Sequence, residues 1–237
     1  MTFQAGKGSI VAGDEIALTG YLNQYSASRS QQALSVTTFG NDDEVYIGGM
    51  LGGSLSVGGL FDSDASASDP TFASWVDDGS THLVTVGHGG DTIGSGAYLF
   101  QGVCTQYGIT GAANDAVRLN VSFQGDDAAR NGVMLHPVDA ETGTGNFASV
   151  DMAASSAFGA VAQLHVVAFT GTNATIKVQD SANDSTWADL ITFTSVTGVT
   201  SQRVEVAGTV DRYVRCIISA GTFSSVTFAV SFARHRQ

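Results

Sequence analysis

His82, His88 and Asp91 in the stretch THLVTVGHGGD are of the types that could hold a metal. A spacing of six would put both imidazoles on one face of a strand, provided the strand continued through Gly87. A third strong donor at ligand spacing is missing, so surface or turn histidines are the expected reading. Asp77 and Asp78 are a candidate carboxylate pair. As sequence neighbours they face opposite ways on a strand and sit ~100° apart on a helix, and neither arrangement suits a two-carboxylate mechanism. DSDASASD at 62–69 resembles a calcium loop but lacks the central Gly and the distal acid. DSANDSTWADL at 180–190 sets Ser181, Asn183, Thr186 and Trp187 in the order of an Asp-box turn, once only and without its Gly. The expected reading there is a hairpin turn capped by a buried Trp187. The chain contains no G-x-S-x-G elbow, phosphate loop, dinucleotide fingerprint or HExxH. No catalytic residue, no metal and no cofactor are expected, and the chain does not read as an enzyme.

Elements that could position other kinds of site are plentiful. Of 237 residues, 29 are Gly and 2 are Pro, and charged residues make up 14%. Apolar residues at 43% supply a sizeable core. In AVRLNVSFQG, Val117, Leu119, Val121 and Phe123 face one way while Arg118, Asn120, Ser122 and Gln124 face the other. In SVTFAVSFAR, Val226, Phe228, Val230 and Phe232 share a face opposed by Thr227, Ala229 and Ser231. Period two of this kind marks strands with one face on a core and one toward water or a partner. Two short helices are predicted: NDDEVYIGGM from Asn41 or Asp42, and DPTFASWVDDG with Asp69 as cap, Pro70 in first position and Gly79 as stop. The fold class is therefore all-β with one or two short helices. Turn-formers and a change in charge balance near QGDDAARNG divide it into residues 1–128 and a β-sandwich at 129–237.

The net charge is −12, and it is uneven: residues 1–128 hold 14 acids against 3 bases, a net of −11, and residues 129–237 hold 8 acids against 7 bases, a net of −1. That excludes a nucleic-acid clamp, which needs a basic footprint. Cys104 and Cys216 are expected to be reduced, buried thiols rather than a disulfide framework. Asn120, Asn173 and Asn183 each begin an N-x-[ST] triplet, but MTFQAGKGSIVAGDE does not read as a signal segment, so no glycan is expected. No run approaches the ~20 apolar residues that span a bilayer, so no membrane partner is expected.

Three stretches carry a resemblance. EIALTGYLNQYSASRSQQALSVTTFGNDDEVYIGGMLGGSLSVGGLFD, then SWVDDG, then GSGAYLFQGVCTQYGITGAANDAVRLNVSFQG, together about residues 10–125, resemble the major tail tube proteins of long-tailed bacteriophages. Ser35 departs from that pattern, which commonly has an acid there, and the Gly pairs at 48–49 and 52–53 are denser than usual. LHP, VQDSANDSTWADLITF and GTVDRYVRCIISAGTFSSVTFAVSFAR resemble a domain appended to such proteins, an immunoglobulin-like β-sandwich. The resemblance implies a tail-tube sandwich or barrel domain at 1–128, contributing strands to an oligomeric barrel, with the second sandwich on the outer surface. It implies stacked, hexameric rings with an acidic lumen conducting DNA without binding it, further tail proteins at tip and terminator as partners, and a virion assembled in the host cytoplasm. The break at Thr37, Thr38, Phe39 and Gly40, the polar run Asn41, Asp42, Asp43 and Glu44, and Gly49, Gly52 and Gly53 become the expected subunit contact. Arg118, Asn120, Ser122 and Gln124 become candidates for the lumen wall. Two rival readings stay open: a phage adhesin or carbohydrate-binding sandwich, and a head decoration or tail-terminator protein forming one closed ring.

Overall fold

The computed structural model describes residues 6–64, 67–126 and 129–235. The chain is all-β. The first half holds β1 (Ile10–Gly13), β2 (Ile16–Ala17), β3 (Leu22–Ser35), β4 (Tyr46–Leu60), α1 (Ser68–Asp78), β5 (Thr81–Gly87), β6 (Gly96–Thr110) and β7 (Arg118–Gly125). The second holds β8 (Arg130–Glu141), β9 (Gly145–Asn146), β10 (Val150–Asp151), β11 (Ala160–Ser181), β12 (Ala188–Thr192), β13 (Thr200–Val206) and β14 (Tyr213–Arg234). β3–β4, β4–β7, β6–β7, β6–β8, β8–β14, β11–β14 and the pairings of β1 with β2 and β5 are all antiparallel. Among the described residues, no helix is long and apolar enough to cross a membrane.

One of the two predicted helices forms. It ends as expected, with Gly79 left-handed at φ 63°. Its start differs: Ala67 holds the cap position without a side-chain bond, and Asp69 lies in the first turn with Pro70 after it. The Ser68 hydroxyl fixes the entry instead, donating to the Leu60 carbonyl at 2.9 Å and accepting the Asp62 N–H at 3.2 Å. The helix predicted from Asn41 is absent. Asn41 Oδ1 accepts the Thr38 N–H and hydroxyl at 2.8 Å each, which closes a turn, and Val45, Tyr46 and Ile47 follow as strand-favouring residues. Tyr46 and Ile47 then pair with Ser35 and Leu34.

The chain divides into two compact units, one of Met1–Gly20, Leu83–Leu99 and Arg130–Gln237, the other of Tyr21–His82 and Phe100–Ala129. The expected division at 128/129 lies one residue from one of the four crossings; the other three are not visible in composition.

The first unit is organised by β11 and β14, each 22 residues, paired from Ala160↔Arg234 to Ser181↔Tyr213. Register shifts between 166 and 176 mark bulges, which bend a strand and raise its twist. Ala160–Val166 pair on with β13, and Lys177–Asp180 with β12. Leu164 and Val166 from one end of β11 share a core with Ile176 and Val178 from the other, closed by Phe228, Phe232 and Cys216 of β14. The long hairpin thus folds over itself into a sandwich.

The opposite face of β14 departs from expectation. Ala229 and Ser231 are buried rather than turned to water. Ile10 of β1, Ala97 and Leu99 of β6 and Met134 of β8 cover that side, packing with Val161, Ala229 and Ala233. The polar groups trapped there bond to one another. Thr85 Oγ1 lies 2.9 Å from the Gln163 amide, 3.0 Å from His165 Nε2 and 2.9 Å from Ser231 Oγ. His165 Nδ1 is 2.9 Å from the Asp14 carbonyl, which can only accept, so Nδ1 carries a proton, while the single Thr85 hydroxyl proton goes to Gln163 Oε1.

Burial depresses the His165 pKa, opposed only in part by the bond to Asp14. The unfolded chain takes up this proton near pH ~6.5, the folded chain only at lower pH. Stability from this group is therefore complete above pH ~6.5 and falls below it by up to ~1.4 kcal/mol per pH unit. Urea unfolding of parent and His165→Gln between pH ~7.5 and pH ~5 should show the parent losing stability more steeply; parallel curves would contradict a neutral buried His165.

Candidate functional site

In the second unit, β3, β4, β7 and the outer part of β6 form one sheet with two unlike faces. Leu55, Val57, Leu119, Val121 and Phe123 are buried on one face, as the alternation predicts for the β7 residues. Val117 is exposed, because it precedes the strand. Against that face, Phe123 meets Phe72, Trp75 and Phe100 edge-on at centroid distances of 6.0–6.4 Å. His82 is buried in the same cluster, stacked 4.5 Å from the Trp75 ring with Nε2 3.3 Å from Asp78. It is therefore a core histidine, not the surface residue expected from sequence. His88 is exposed in a turn, and the described residues hold no cluster of three or more candidate metal ligands.

The other face carries only polar and small side chains along most of its length. Gln24, Ser26 and Ser28 of β3 lie beside Gly58, Ser56 and Ser54 of β4, and these beside Asn120, Ser122 and Gln124 of β7. The bonds run across the strands: Ser28 to Ser54 at 2.7 Å, Ser56 to Ser122 at 3.4 Å, and Gln124 Nε2 to the Gly53 carbonyl at 3.1 Å. Gln24 Nε2 donates to Asn120 Oδ1 at 3.2 Å. That bond spans β4 over Gly58, where a Cβ would fall on both side chains. Asn120, Gln124 and Arg118 are exposed and Ser122 half-buried, so the four residues expected to share a face do so. Sequence reading missed their β3 and β4 neighbours, although the alternation in LNQYSASRS and GSLSVG carries the same signal.

The β3–β4 hairpin outruns the rest of this sheet. β7 pairs with β4 only over Ser54–Leu60, so Arg29–Ser35 and Tyr46–Gly53 pair with each other alone. Their side chains are open to solvent. Leu34, Val36, Tyr46, Ile47, Met50 and Leu51 are exposed, Met50 at 79%, and Phe39 at the tip is fully exposed at 114%. Thr37 to Glu44 make up that tip. The Thr37 hydroxyl accepts the Val45 N–H at 2.8 Å, and Asn41 N–H returns to the Thr38 carbonyl at 3.0 Å. Tyr46 donates its hydroxyl to Glu44 Oε2 at 2.7 Å, which raises the phenol pKa. Asp42 and Asp43 stand exposed beside Phe39. The residues singled out as a contact, Thr37–Glu44 with Gly49, Gly52 and Gly53, thus all lie on one projecting arm.

The arm glycines make room for side chains. A Cβ on Gly49 would meet the Leu34 side chain at 3.0 Å, one on Gly53 the Ala129 Cβ at 2.9 Å, and one on Gly52 only Ser30 Oγ at 3.4 Å. Backbone crowds Gly59 instead, where a Cβ would fall on the Tyr21 carbonyl and within 2.8 Å of Leu22 Cα.

The other sequence signals are structural. At 180–190, Asn183 Oδ1 accepts the N–H groups of Ser185 and Thr186 at 3.1 and 2.9 Å, in the hairpin turn between β11 and β12. Trp187 is half-buried rather than buried, with the Arg215 guanidinium 4.1 Å from its ring centre. Part of the 62–69 stretch lies outside the described residues; within it, Asp62 Oδ1 accepts the Asp64 N–H at 2.9 Å. Cys104 and Cys216 are buried free thiols, and burial pushes the Cys104 pKa up to about 11.

The architecture defines an all-β protein with a projecting arm. No protein-family model matches the sequence, and no curated protein matches it significantly. Solved structures that resemble it belong to tails and related particles. A chain of the native gene transfer agent virion is 16% identical at TM-score 0.43, over 54% of this chain and 97% of that one. The SPP1 tail tube protein is 11% identical at TM-score 0.43, over 54% and 77%. The SPP1 Dit protein, described as a hub of the adsorption apparatus in phages infecting Gram-positive hosts, is 12% identical at TM-score 0.40, over 95% and 99%. Likenesses this loose assign no role.

Gly59→Ala should destabilise the subunit by ~1–3 kcal/mol through backbone displacement, whereas Gly52→Ala should be neutral or stabilising by up to ~1 kcal/mol. Equal thermal shifts for the two variants would contradict the placement of Gly59 against β3.

Proposed function

We propose that the chain is a structural virion protein, a subunit of a bacteriophage tail tube. It forms stacked hexameric rings and conducts DNA during ejection without specific binding. The observation that carries this reading is the arm: two strands, no third, with apolar side chains open along its length. A two-stranded hairpin is marginal alone in water, and exposed strand edges and apolar surface invite a partner. A second copy of the chain supplies a matching edge at no cost in new sequence, and contacts that do not close on themselves extend into a tube. Six copies at −12 each carry −72 formal charges, which disfavours retention of DNA phosphates. Residues 1–128 would contribute the barrel strands and 129–237 the outer sandwich, with other tail proteins meeting the tube at its tip and terminator. Assembly would take place in the host cytoplasm.

Electron microscopy of the concentrated protein at near-physiological salt should show tubes or stacked rings of one diameter. Phe39→Asp combined with Met50→Asp should abolish them while shifting subunit stability by no more than ~0.5 kcal/mol, because both side chains are exposed. Single rings that never stack would move the chain to a closed-ring component such as a terminator. Monomers that bind a glycan would favour the adhesin.

A further inference from the structure

We propose that copies of the chain meet head to tail along the β3–β4 arm, the acids at the tip of one arm seating against Arg29 at the base of the next copy's arm. This rests on the tube reading and names the charged groups that set the contact. Arg29, Gln31, Ala33 and Ser35 alternate onto one face of β3, and their partners Gly53, Leu51, Gly48 and Tyr46 share that face. One side of the arm therefore carries a cation at its base, small and apolar residues along its middle, and Tyr46 next to the acidic tip.

Arg29 is exposed, and it makes no hydrogen bond or ion pair with any of the described residues. Gly53, directly opposite, offers it no side chain. Arg29 and Arg118 are the only cations among residues 21–82 and 100–129, and Arg118 is held by both Asp115 carboxylate oxygens at 3.2 and 3.3 Å. At the other end of the arm, Asp42 and Asp43 are exposed and have no cation partner among the described residues. Glu44 beside them is oriented by the Tyr46 hydroxyl at 2.7 Å. The two ends cannot satisfy each other within one subunit. The strand from Arg29 to Ser35 alone spans about 20 Å, and charges that far apart are screened at physiological salt, where the Debye length is about 8 Å.

A second copy resolves this in one alignment only. Arms laid side by side in register set tip acids against tip acids and Arg29 against Arg29, which like charges oppose. Sliding one arm along the other replaces both repulsions with attraction. An antiparallel overlap also matches the charges, but it uses the same patch on both partners and closes on two copies. A parallel, offset overlap leaves an acidic tip free at one end and a cation free at the other, so copies continue to add. Exposed ion pairs contribute little binding by themselves, so the charges set direction and offset, while cover of the exposed Leu51 and Tyr46 supplies the hold.

Charge reversal in the full chain tests the pairing. Arg29→Glu, and separately Asp42→Lys with Asp43→Lys, should each raise the concentration needed for assembly about tenfold or more, because each sets like charges against each other across the contact. Thermal unfolding of the free subunits should stay unchanged, since all three side chains are exposed. All three substitutions in one chain restore opposite charges at the two ends and should return assembly close to that of the parent. Reversals that assemble like the parent, or a triple variant no better than either reversal, would overturn the proposal. Cysteine cross-linking tests the alignment, because the chain's own Cys104 and Cys216 are buried. A chain with both Arg29→Cys and Asp43→Cys should be joined by a short bismaleimide into a ladder of trimers and longer products, and either single-cysteine chain should give none. Dimers alone from the double variant would show antiparallel overlap, and dimers from a single-cysteine chain would show arms in register; either overturns the proposal. A parent chain that forms no rings or tubes at all would instead overturn the tube reading beneath it.

Discussion

Two hydrogen-bonded strands cannot bury their own side chains, and the β3–β4 arm depends on that fact. Over Arg29–Ser35 and Tyr46–Gly52 no third strand pairs with either partner, and the side chains are exposed. The sequence nevertheless places Leu34, Tyr46, Ile47 and Met50 there, residues that an isolated solvent-facing hairpin gains nothing from. Their presence is consistent with an arm completed by another molecule. The tip fits the same logic: Thr37, Thr38 and Asn41 close the turn through local bonds, which leaves Phe39 free to reach outward.

Each unit has its own packed core. In the arm-bearing unit, aromatic rings from α1, β6 and β7 back the sheet just where β4 gains its third strand. In the other unit, β11 and β14 bend at bulges to form both layers of the sandwich, and the N-terminal strand β1 covers the far side of β14. Thr85 of β5, Gln163, His165 and Ser231 are buried together, and this is tolerable because Thr85 Oγ1 lies within hydrogen-bond distance of the other three.

Period-two alternation made the strands and the two faces of β7 legible in the sequence, and Gly79 made the end of α1 legible. What escaped is non-local. The missing helix after Asn41 turned on a pairing between Tyr46 and Ser35 that no window of sequence contains. Buried Ser231 meets Thr85 of β5, 146 residues earlier, so a composition boundary near 128 could not reveal it. His82 read as a surface residue because the Trp75 ring that covers it lies on a helix, out of phase with the strand. The candidate contact residues were legible as a break followed by acids, but that they form one arm needed the register of β3 on β4. Gln24, Ser26 and Ser28 alternate visibly in LNQYSASRS, and only pairing through β4 put them in line with Asn120 and Ser122.

Hydrogen exchange of the arm amides, compared between free subunit and assembled particle, tests the central claim most directly. The account predicts fast exchange over the outward-facing amides of 29–53 in the free subunit and strong protection on assembly, while the cores of both units stay protected throughout. An arm already protected in the free subunit, or one that stays fast in the particle, would contradict it.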